Sequence, residues 1–431
     1  MTVFDLPPWL FALPAVWGVN FIFWGTVGLF RAVHDWLLQR AAPLSRTQEK
    51  KLVGPMSKNE VVAVVPAHNE SLVIASTLDS LLRLLPASNI FVVSDGSTDD
   101  TASRARDRGV AVLELEKSHG KAGALQAGLE HFSLLQNFSA VLFVDADTVL
   151  KEDYLENALP FFRDRRVVAI AGYARTLWQP RKMSWVQRFI ILHRDRVYFL
   201  SQTLLKFGQT WRHTNVTSIV PGFASIYRSS ALAKINLNPP GLVIEDFNMT
   251  FEIHHKHLGL VAHHPRITGY TQDPDNLRDY RRQIARWNLG FWQTVRLHGF
   301  WPSKFWAALA LLLTEVSLSS VLILMLAATL ITWFTVNLGL IIFGGALPSW
   351  FLELATLFSG RRLPNLFLYG VFLPDYLLAI VAAFVMRRPQ YLLVGLGSFL
   401  MRVVDSLSFI AAIPRAFFVK SSGQWTSPTR R

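Results

Sequence analysis

The sequence predicts an α/β domain inserted between transmembrane α-helices. Hydrophobic residues make up 51% of the 431 residues, and the mean hydropathy is positive, which is above the usual range for soluble proteins. Long apolar stretches lie near both ends of the chain, and short β-branched runs alternate with amphipathic stretches between them. We therefore expect an integral protein of the cell membrane or inner membrane.

The first apolar stretch covers residues 8–30, where Asn20 is the only strongly polar residue. Roughly 20 such residues cross a bilayer, so the stretch predicts a transmembrane helix. A cleaved signal peptide is the alternative, but no basic residue precedes the stretch and it is too long for a signal core. Basic residues follow it, and the positive-inside rule then places the next domain in the cytosol. These residues are Arg31, Arg40, Arg46, Lys50, Lys51 and Lys58.

Residues 305–415 predict a C-terminal transmembrane region of three or four helices. Residues 305–347 fit one long span or two short ones that turn near residues 335–337, and further spans are expected at 364–386 and 391–413. The total is four or five, and a basic C-terminus favours five. Those basic residues are Arg415, Lys420, Arg430 and Arg431.

Three ionisable residues, Glu315, Arg402 and Asp405, fall inside these spans. Charged groups are costly in a bilayer, so they should face the interior of the bundle and not lipid. The helical spacing of Arg402 and Asp405 predicts an ion pair between them. A polar pore lining is the alternative.

Residues 55–275 predict the α/β domain. Apolar runs at 61–66, 90–95, 110–115 and 140–145 are strand candidates, and the stretches 71–85, 98–108 and 122–132 are the intervening helices. This alternation indicates a mainly parallel sheet. Ligands of such sheets bind at the carboxyl ends of the strands.

Carboxylates occupy those strand ends. Asp95 follows the second run, and Asp145 and Asp147 follow the fourth. Neighbouring like charges repel unless a cation or a proton offsets them, and oxygen ligands suit Mg²⁺ or Mn²⁺. An Asp-x-Asp sequence alone is often only a turn, but its position at the end of an apolar strand favours a metal site.

The absence of cysteine, the net charge and the histidines each limit the classes of site and ligand to expect. The absence of cysteine excludes disulfides and thiolate zinc sites. A net charge of +13 suits lipid headgroups, phosphorylated substrates or nucleic acid. Nucleic acid is disfavoured because the basic residues flank the membrane spans. A histidine patch admits a transition-metal site, although ordinary histidines are favoured by its spacing. The patch comprises His254, His255, His257, His263 and His264.

Seven motifs occur in a characteristic order between Val61 and Gly299. They are VVPAHNE (64–70), SDGSTDDT (94–101), HGKAGALQAGL (119–129), VDADT (144–148), PGFASIYR (221–228), IED (244–246) and QIARW (283–287). Together they resemble family-2 glycosyltransferases with a GT-A fold, in particular the processive membrane synthases of hyaluronan, chitin, cellulose and poly-N-acetylglucosamine. The resemblance implies a GT-A-like nucleotide-sugar domain between the helices, and an inverting transfer from a UDP-sugar.

The resemblance also assigns roles to the residues of these motifs. Nucleotide binding falls to Pro66, Ala67, Asn69, Glu70, Asp95, Lys121 and Asp145. Asp95 would meet the uracil imide, and Lys121 would lie near the phosphates. Asp147 would be the more direct metal ligand, with Asp145 nearer the ribose. Asp246 would be the general base, with its proton affinity raised by the neighbouring Glu245.

The acceptor residues implied by the resemblance are Gly222, Phe223, Gln283, Arg286 and Trp287. The last three match the Q-x-x-R-W motif of polymer-making members, where the indole stacks on the acceptor sugar. They lie in residues 276–300, which are basic and aromatic at helical spacing and therefore predict an interfacial helix.

We therefore expect processive synthesis of a β-linked polysaccharide from a UDP-sugar and an oligosaccharide or polysaccharide acceptor, with translocation through the lipid bilayer. Non-processive transfer of one sugar to a lipid-linked acceptor is the alternative. A catalytically inactive scaffold is disfavoured because every expected acidic residue is present. Ile244 stands where the family often has threonine, and one helix precedes the domain where many relatives have two. Both departures bear on the product and not on the transfer chemistry.

Overall fold

The computed structural model describes residues 7–40, 54, 56–178, 183–344, 348–358 and 362–419. It contains two compact units. One combines residues up to Phe23 with Ala310–Ala411, and the other combines Trp24–Leu309 with residues from Ala412 onward. Several basic residues used above to orient the chain lie outside the described residues. These are Arg46, Lys50, Lys51, Lys420, Arg430 and Arg431.

The larger unit contains an eight-stranded sheet of order β3-β2-β1-β4-β7-β6-β8-β5. The strands are β1 (Val61–Ala67), β2 (Ile90–Asp95), β3 (Ala111–Leu115), β4 (Ala140–Val144), β5 (Thr148–Leu150), β6 (Val167–Thr176), β7 (Ala224–Arg228) and β8 (Leu260–Thr271). The four strands predicted from apolar runs are confirmed as β1 to β4, and they pair in parallel. The carboxyl ends of these four strands therefore lie along one edge.

The expectation of a mainly parallel sheet is confirmed in part: the sheet is mixed, with four parallel strand pairings, one of them between β6 and β8, and three antiparallel ones. β7 runs antiparallel to β4 and β6, and β5 runs antiparallel to β8. The strand prediction stopped at β4, and the segment that forms β7 was interpreted only as an acceptor loop. Antiparallel pairing with β4 places the residue before β7 beside the end of β4, and the amide of Asp145 donates to the carbonyl of Phe223 at 2.9 Å.

Alternate side chains of β1 explain why its apolar run is continuous. Val61, Ala63 and Val65 pack into one apolar cluster, whereas Val62 and Val64 pack into a second cluster on the opposite face. A strand that is covered on both faces has no solvent-facing position for a polar residue. The strand interior is thus fixed by packing, and polar groups are confined to its ends.

Helices cover the sheet and connect its strands. Those of the larger unit are Ile74–Leu82, Thr101–Arg106, Gly120–His131, Leu134–Asn137, Tyr154–Ala158, Trp185–Leu200, Phe207–Gln209, Ser229–Leu232, Glu245–His255 and Leu277–His298, with 3₁₀ turns at Lys58–Glu60, Ala87–Asn89 and Leu159–Arg163 and a π-helical segment at Ser201–Lys206. The three helices predicted between the first four strands are confirmed, with ends that differ by a few residues. The predicted interfacial segment forms the helix Leu277–His298.

Three helical stretches of the described chain are long and apolar enough to cross a membrane: Lys304–Phe343, Arg362–Val385 and Tyr391–Phe418. The first is one continuous helix of 40 residues, so no turn occurs at residues 335–337. A π-helical segment, Leu368–Phe372, interrupts the second. The helix Ser349–Phe358 lies between these two stretches.

The stretch 8–30, predicted to form a transmembrane helix, is bent in the structure. Pro8–Ala12 continues as a π-helical segment, Leu13–Trp17, and the chain then bends by 74° before Val19–Arg40. The bend is at Gly18, whose φ of +69° is a conformation that favours glycine. If this bent pair counts as one span, up to four spans fit the described residues.

Glu315 stabilises this bend. Its Oε2 accepts hydrogen bonds from the backbone amide of Asn20 at 2.8 Å and from the Asn20 side chain at 3.2 Å. A Cβ at Gly18 would overlap the Glu315 carboxylate. The one polar residue of the first apolar stretch is therefore satisfied within the apolar unit, as the cost of unpaired polar groups requires.

The predicted Arg402–Asp405 pair is corrected by the structure. Arg402 binds Asp375, which lies on a different helix, with its Nη2 at 2.6 Å and its Nε at 3.0 Å from Oδ1. Asp375 is 2% exposed and also accepts from the hydroxyl of Ser398. Spacing along one helix could not reveal a partner on another, because such contacts depend on how the helices pack.

Candidate active site

Lys121 is the cation at the centre of the site. It lies in the first turn of Gly120–His131, and its Nζ is 2.7 Å from Oδ1 of Asp145 and 2.9 Å from Oε1 of Glu245. The same nitrogen donates to the carbonyl of Gly222 at 3.4 Å. The Lys121 ammonium thus contacts three segments: the end of β4, the loop before β7 and the start of the helix Glu245–His255.

Local structure explains how the carboxylates reach Lys121. Asp145 directly follows β4, and its carbonyl accepts from the amide of Thr148 in a tight turn. Glu245 and Asp246 are the first two residues of their helix, where the helix dipole favours negative charge. Asp145, Glu245 and Asp246 are therefore all positioned by the end of a strand or the start of a helix.

Gly222 allows these groups to approach one another. A Cβ at this position would lie 2.8 Å from Nζ of Lys121 and 2.9 Å from Oε1 of Glu245. Its amide donates to Oδ2 of Asp246 at 3.2 Å. Any side chain at residue 222 would therefore displace the ion pairs.

Burial and charge act against each other in the cluster of Lys121, Asp145 and Glu245. Burial alone would lower the pKa of Lys121, but Asp145 and Glu245 outweigh burial and raise it, so the ammonium stays charged. Burial raises the pKa of Asp145, opposed by Lys121 and reinforced by Asp147. Burial also acts to raise the pKa of Glu245, but Lys121 overcomes it and the net pKa is lowered. Glu245 is therefore the counter-ion of Lys121.

Asp246 has a different environment from Glu245. Burial, followed by the charge of Glu245, raises the pKa of Asp246 to about 6, although Lys121 opposes this shift. Its Oδ1 accepts from the amide of Phe247 at 2.7 Å. A carboxylate with a pKa near neutrality is suited to accept a proton during a reaction.

The residues predicted to bind the nucleotide lie at the carboxyl ends of β1 and β2. Pro66 and Ala67 are buried at the end of β1, and Glu70 is 1% exposed. Asn69 is exposed with a φ of +56°, and its Oδ1 accepts from the amide of Thr98 at 2.8 Å. The structure thus places these four residues where the sequence predicted a ligand.

Asp95 is fully buried and holds the segment that leads to Lys121. Its carboxylate accepts from the hydroxyl of Ser118 at 2.7 Å, from the amide of His119 at 2.7 Å and from the amide of Gly120 at 2.9 Å. In this structure Asp95 therefore orients the helix of Lys121. A direct contact with a base would require some of these hydrogen bonds to be exchanged.

The predicted acceptor residues fall into three places. Arg286 lines a pocket together with Lys121 and Glu245. The Phe223 side chain is 9% exposed and packs into the core, so only its main chain faces the site. Gln283 and Trp287 instead contact a buried arginine from another helix.

That arginine, Arg194, was missed by the sequence analysis, as was Asp273. Arg194 is 1% exposed, its Nε is 3.3 Å from Oδ1 of Asp273, and its guanidinium lies 4.1 Å from the ring centre of Trp287. It also donates to Oε1 of Gln283. A signal was available, because the charged run HRDR (193–196) interrupts the otherwise apolar stretch of Trp185–Leu200.

Asp145 and Asp147 suit a hard divalent cation in their chemistry. The charge of Asp147 acts on Asp145 to raise its pKa, which indicates that the two carboxylates are close. Within the described ranges, no group of three or more His, Cys, Asp or Glu side chains is arranged to hold a metal. If these two carboxylates hold an ion, a diphosphate and water would supply most of its ligands, as is common for Mg²⁺.

The predicted histidine patch is dispersed. His254 stacks on Phe305 and His255 stacks on Trp301, with ring centres 4.4 Å and 4.5 Å apart. Nδ1 of His263 lies 3.0 Å from the carbonyl of Ala171. Aromatic packing and backbone contacts account for these side chains.

Residues 62–235 match the family described as glycosyl transferase family 2. Over 251 residues, the chain is 24% identical to a poly-β-1,6-N-acetyl-D-glucosamine synthase of Staphylococcus epidermidis, with 56% of each protein covered. It is 27% identical to the uncharacterized glycosyltransferase YaiP of Escherichia coli over 257 residues, which cover 56% of this chain and 59% of YaiP. The chain thus spans little more than half the length of these relatives.

Among solved structures, the fold is similar to that of the mannosyltransferase PcManGT of Pyrobaculum calidifontis, determined in complex with GDP-Man and Mn²⁺. The TM-score is 0.51 at 19% identity, and the match covers 92% of this chain and 100% of that one. The likeness supports a GT-A-like mixed sheet followed by apolar helices.

Proposed function

The chain belongs to glycosyl transferase family 2, and on that premise we propose that it transfers a sugar, with inversion, from a UDP-sugar to the growing end of a β-linked polysaccharide. The observation that carries the proposal is the difference in environment between the adjacent carboxylates of Glu245 and Asp246. Glu245 pairs with Lys121, whereas Asp246 is partly buried and its pKa is raised to about 6 by burial and by the charge of Glu245. Adjacent carboxylates whose environments separate their pKa values are suited to different roles.

Asp246 acts as the general base. It takes the proton from the acceptor hydroxyl while that oxygen attacks the anomeric carbon, and the bond to the diphosphate breaks on the opposite side. The backbone amides of Gly222 and Phe247 hold the carboxylate in place. An in-line displacement of this kind inverts the anomeric centre.

Lys121, Asp145 and Asp147 form the diphosphate side of the site. Asp147 and Asp145 would hold Mg²⁺ or Mn²⁺, and such an ion would supply positive charge to the departing diphosphate. Lys121 adds a charged ammonium, which its two carboxylate partners keep protonated. Pro66, Ala67, Asn69, Glu70 and Asp95 border the nucleoside at the ends of β1 and β2.

The acceptor lies along the helix Leu277–His298. Arg286 lines the pocket of Lys121 and Glu245, and Trp287 offers a broad apolar surface for a sugar ring. The three apolar helices provide the route through a lipid bilayer, with the catalytic unit on the cytosolic side. Basic residues after the first apolar stretch support that orientation.

The test uses purified full-length protein with single UDP-sugars and Mn²⁺. We expect UDP release with one donor and a product that lengthens with time and is digested by a hydrolase specific for its linkage. The Asp246→Asn variant should release UDP by transfer at least about a hundredfold more slowly. Products never longer than one added sugar would refute processive synthesis and favour transfer to a lipid-linked acceptor.

A further inference from the structure

Arg194 lies at the centre of a polar cluster behind the predicted acceptor helix. Its guanidinium is surrounded by the rings of Tyr198, Tyr280 and Trp287, at 5.2, 5.4 and 4.1 Å from the ring centres. Asp273 is its counter-ion and also accepts from the hydroxyl of Tyr198 at 2.9 Å. Both charged residues are almost fully buried, with exposures of 1% and 8%.

A contribution to stability is a weak explanation for the buried Arg194–Asp273 ion pair. Desolvation of two charges offsets most of their attraction, and apolar side chains of similar volume often stabilise a protein equally well. What an arginine adds is geometry, since a rigid planar fork binds two partners in its plane and stacks a third on its face. Arg194 uses all three features: Asp273 and Gln283 bind its nitrogens, and Trp287 stacks on its face.

We propose that Arg194 is a positioning residue that sets the orientation of Gln283 and Trp287 for acceptor binding. Arg194 covers one face of the Trp287 indole, and the Trp287 side chain is only half-buried, so a sugar ring stacks on the other face. The guanidinium also fixes the amide of Gln283, whose oxygen it binds, and leaves the amide NH₂ group to donate to the acceptor. This inference rests on the proposed function of the same site.

The experiment compares Arg194→Lys and Arg194→Met in the full-length enzyme, with Arg188→Met as the matched control. Arg188 lies on the same helix but is exposed. Two rates are measured with the preferred UDP-sugar: UDP release without acceptor, and extension of added β-linked N-acetylglucosamine oligosaccharides. We expect the KM for the oligosaccharide to rise about tenfold or more in both Arg194 variants, since hydrogen bonds to charged groups are of that strength. UDP release without acceptor should stay within about twofold, and Arg188→Met should match the wild type.

Lysine keeps the positive charge of Arg194 but lacks its planar guanidinium. A KM that stays raised in Arg194→Lys would therefore show that the orientation of Gln283 and Trp287 matters, and not the charge alone. If Arg194→Met does not fold, Asp273→Asn tests the same cluster with little change of shape. Equal loss of UDP release and extension would assign Arg194 a purely structural role, and an unchanged KM would overturn the inference alone. A wild type that extends no acceptor would overturn the proposed function and this inference with it.

Discussion

The ammonium nitrogen of Lys121 lies 2.9 Å from Oε1 of Glu245, and the same nitrogen lies 2.7 Å from Oδ1 of Asp145. One cation thus pairs with two carboxylates that come from different elements of the chain. Glu245 is 7% exposed, so little solvent is available to replace this cation. The ion pairs therefore affect both stability and donor binding.

Lys121→Met should destabilise the protein and weaken UDP binding. Removing one partner of a buried ion pair costs about 3 kcal/mol or more, because the remaining charge is left uncompensated. We expect UDP affinity to fall at least about tenfold in calorimetric titration, with a lower unfolding temperature. Lys117→Met is the control, since Lys117 is exposed nearby. Wild-type UDP affinity in Lys121→Met would contradict the assignment of this lysine to the diphosphate.

The rate of transfer should rise with pH through about 6. The base must be ionised to accept a proton, and burial together with Glu245 raises the pKa of Asp246 to about 6. One pH unit below that value, about one-tenth of Asp246 is ionised, so the rate should be about one-tenth of its plateau. Glu245→Gln removes a like charge and should move the acidic limb to lower pH. A limb that does not move in that variant would argue against Asp246 as the titrating group.

Asp246→Asn should separate binding from chemistry. The amide keeps the shape of the side chain but has no basic oxygen, so transfer should fall by about a hundredfold or more. UDP affinity should remain within about threefold of the wild type, since Lys121 and Asp145 retain their contacts. Comparable turnover in this variant would refute the base assignment.

Much of the donor side of this site was predictable from the sequence. β1, β2 and β4 are buried along almost their whole length, so their apolar runs stand out, and polar residues appear where these strands end. Asp95, Asp145 and Asp147 were therefore predictable from their positions at the ends of strands. The roles of Lys121 and Asp246 came instead from the resemblance of their motifs to family-2 glycosyltransferases, because their local patterns alone do not indicate a site.

The remaining features depend on contacts between distant segments. Asp375 as the partner of Arg402, Arg194 as the partner of Gln283, and the antiparallel β7 all require knowledge of how elements pack. The bend at Gly18 likewise depends on Glu315, almost 300 positions away in the chain. Hydrophobic periodicity predicts which face of a helix or strand is buried, but not which residues of other elements contact that face.

Removal of divalent metal should abolish transfer, and Asp147→Asn should raise the Mn²⁺ concentration that restores half of the rate by about tenfold or more. The reason is that Asp147 supplies one of two carboxylates in a site that otherwise depends on the diphosphate. The measurement is a Mn²⁺ titration after treatment with a chelator. Asp100→Asn serves as the control because Asp100 is exposed. Full activity in the chelator would contradict a metal site.

Trp287→Ala should weaken acceptor engagement more than donor hydrolysis. Loss of an aromatic platform for a sugar costs about 1 kcal/mol or more, so the acceptor KM should rise several-fold while UDP release without acceptor changes little. Trp185→Ala, at an indole that is 67% exposed, is the matched control. Equal loss of both activities would contradict stacking of the acceptor on Trp287.

Arg402 and Asp375 should show strong coupling in a double-mutant cycle. Asp375 is 2% exposed, so Arg402→Met leaves a buried charge and should lower the free energy of unfolding by about 3 kcal/mol or more in detergent. The double variant Arg402→Met with Asp375→Asn removes both charges and should recover most of that loss. Arg415→Met, at an exposed position of the same helix, should be neutral. Contacting charges couple by about 0.5–3 kcal/mol, so additive losses would show that the pair at 2.6 Å does not stabilise the apolar unit.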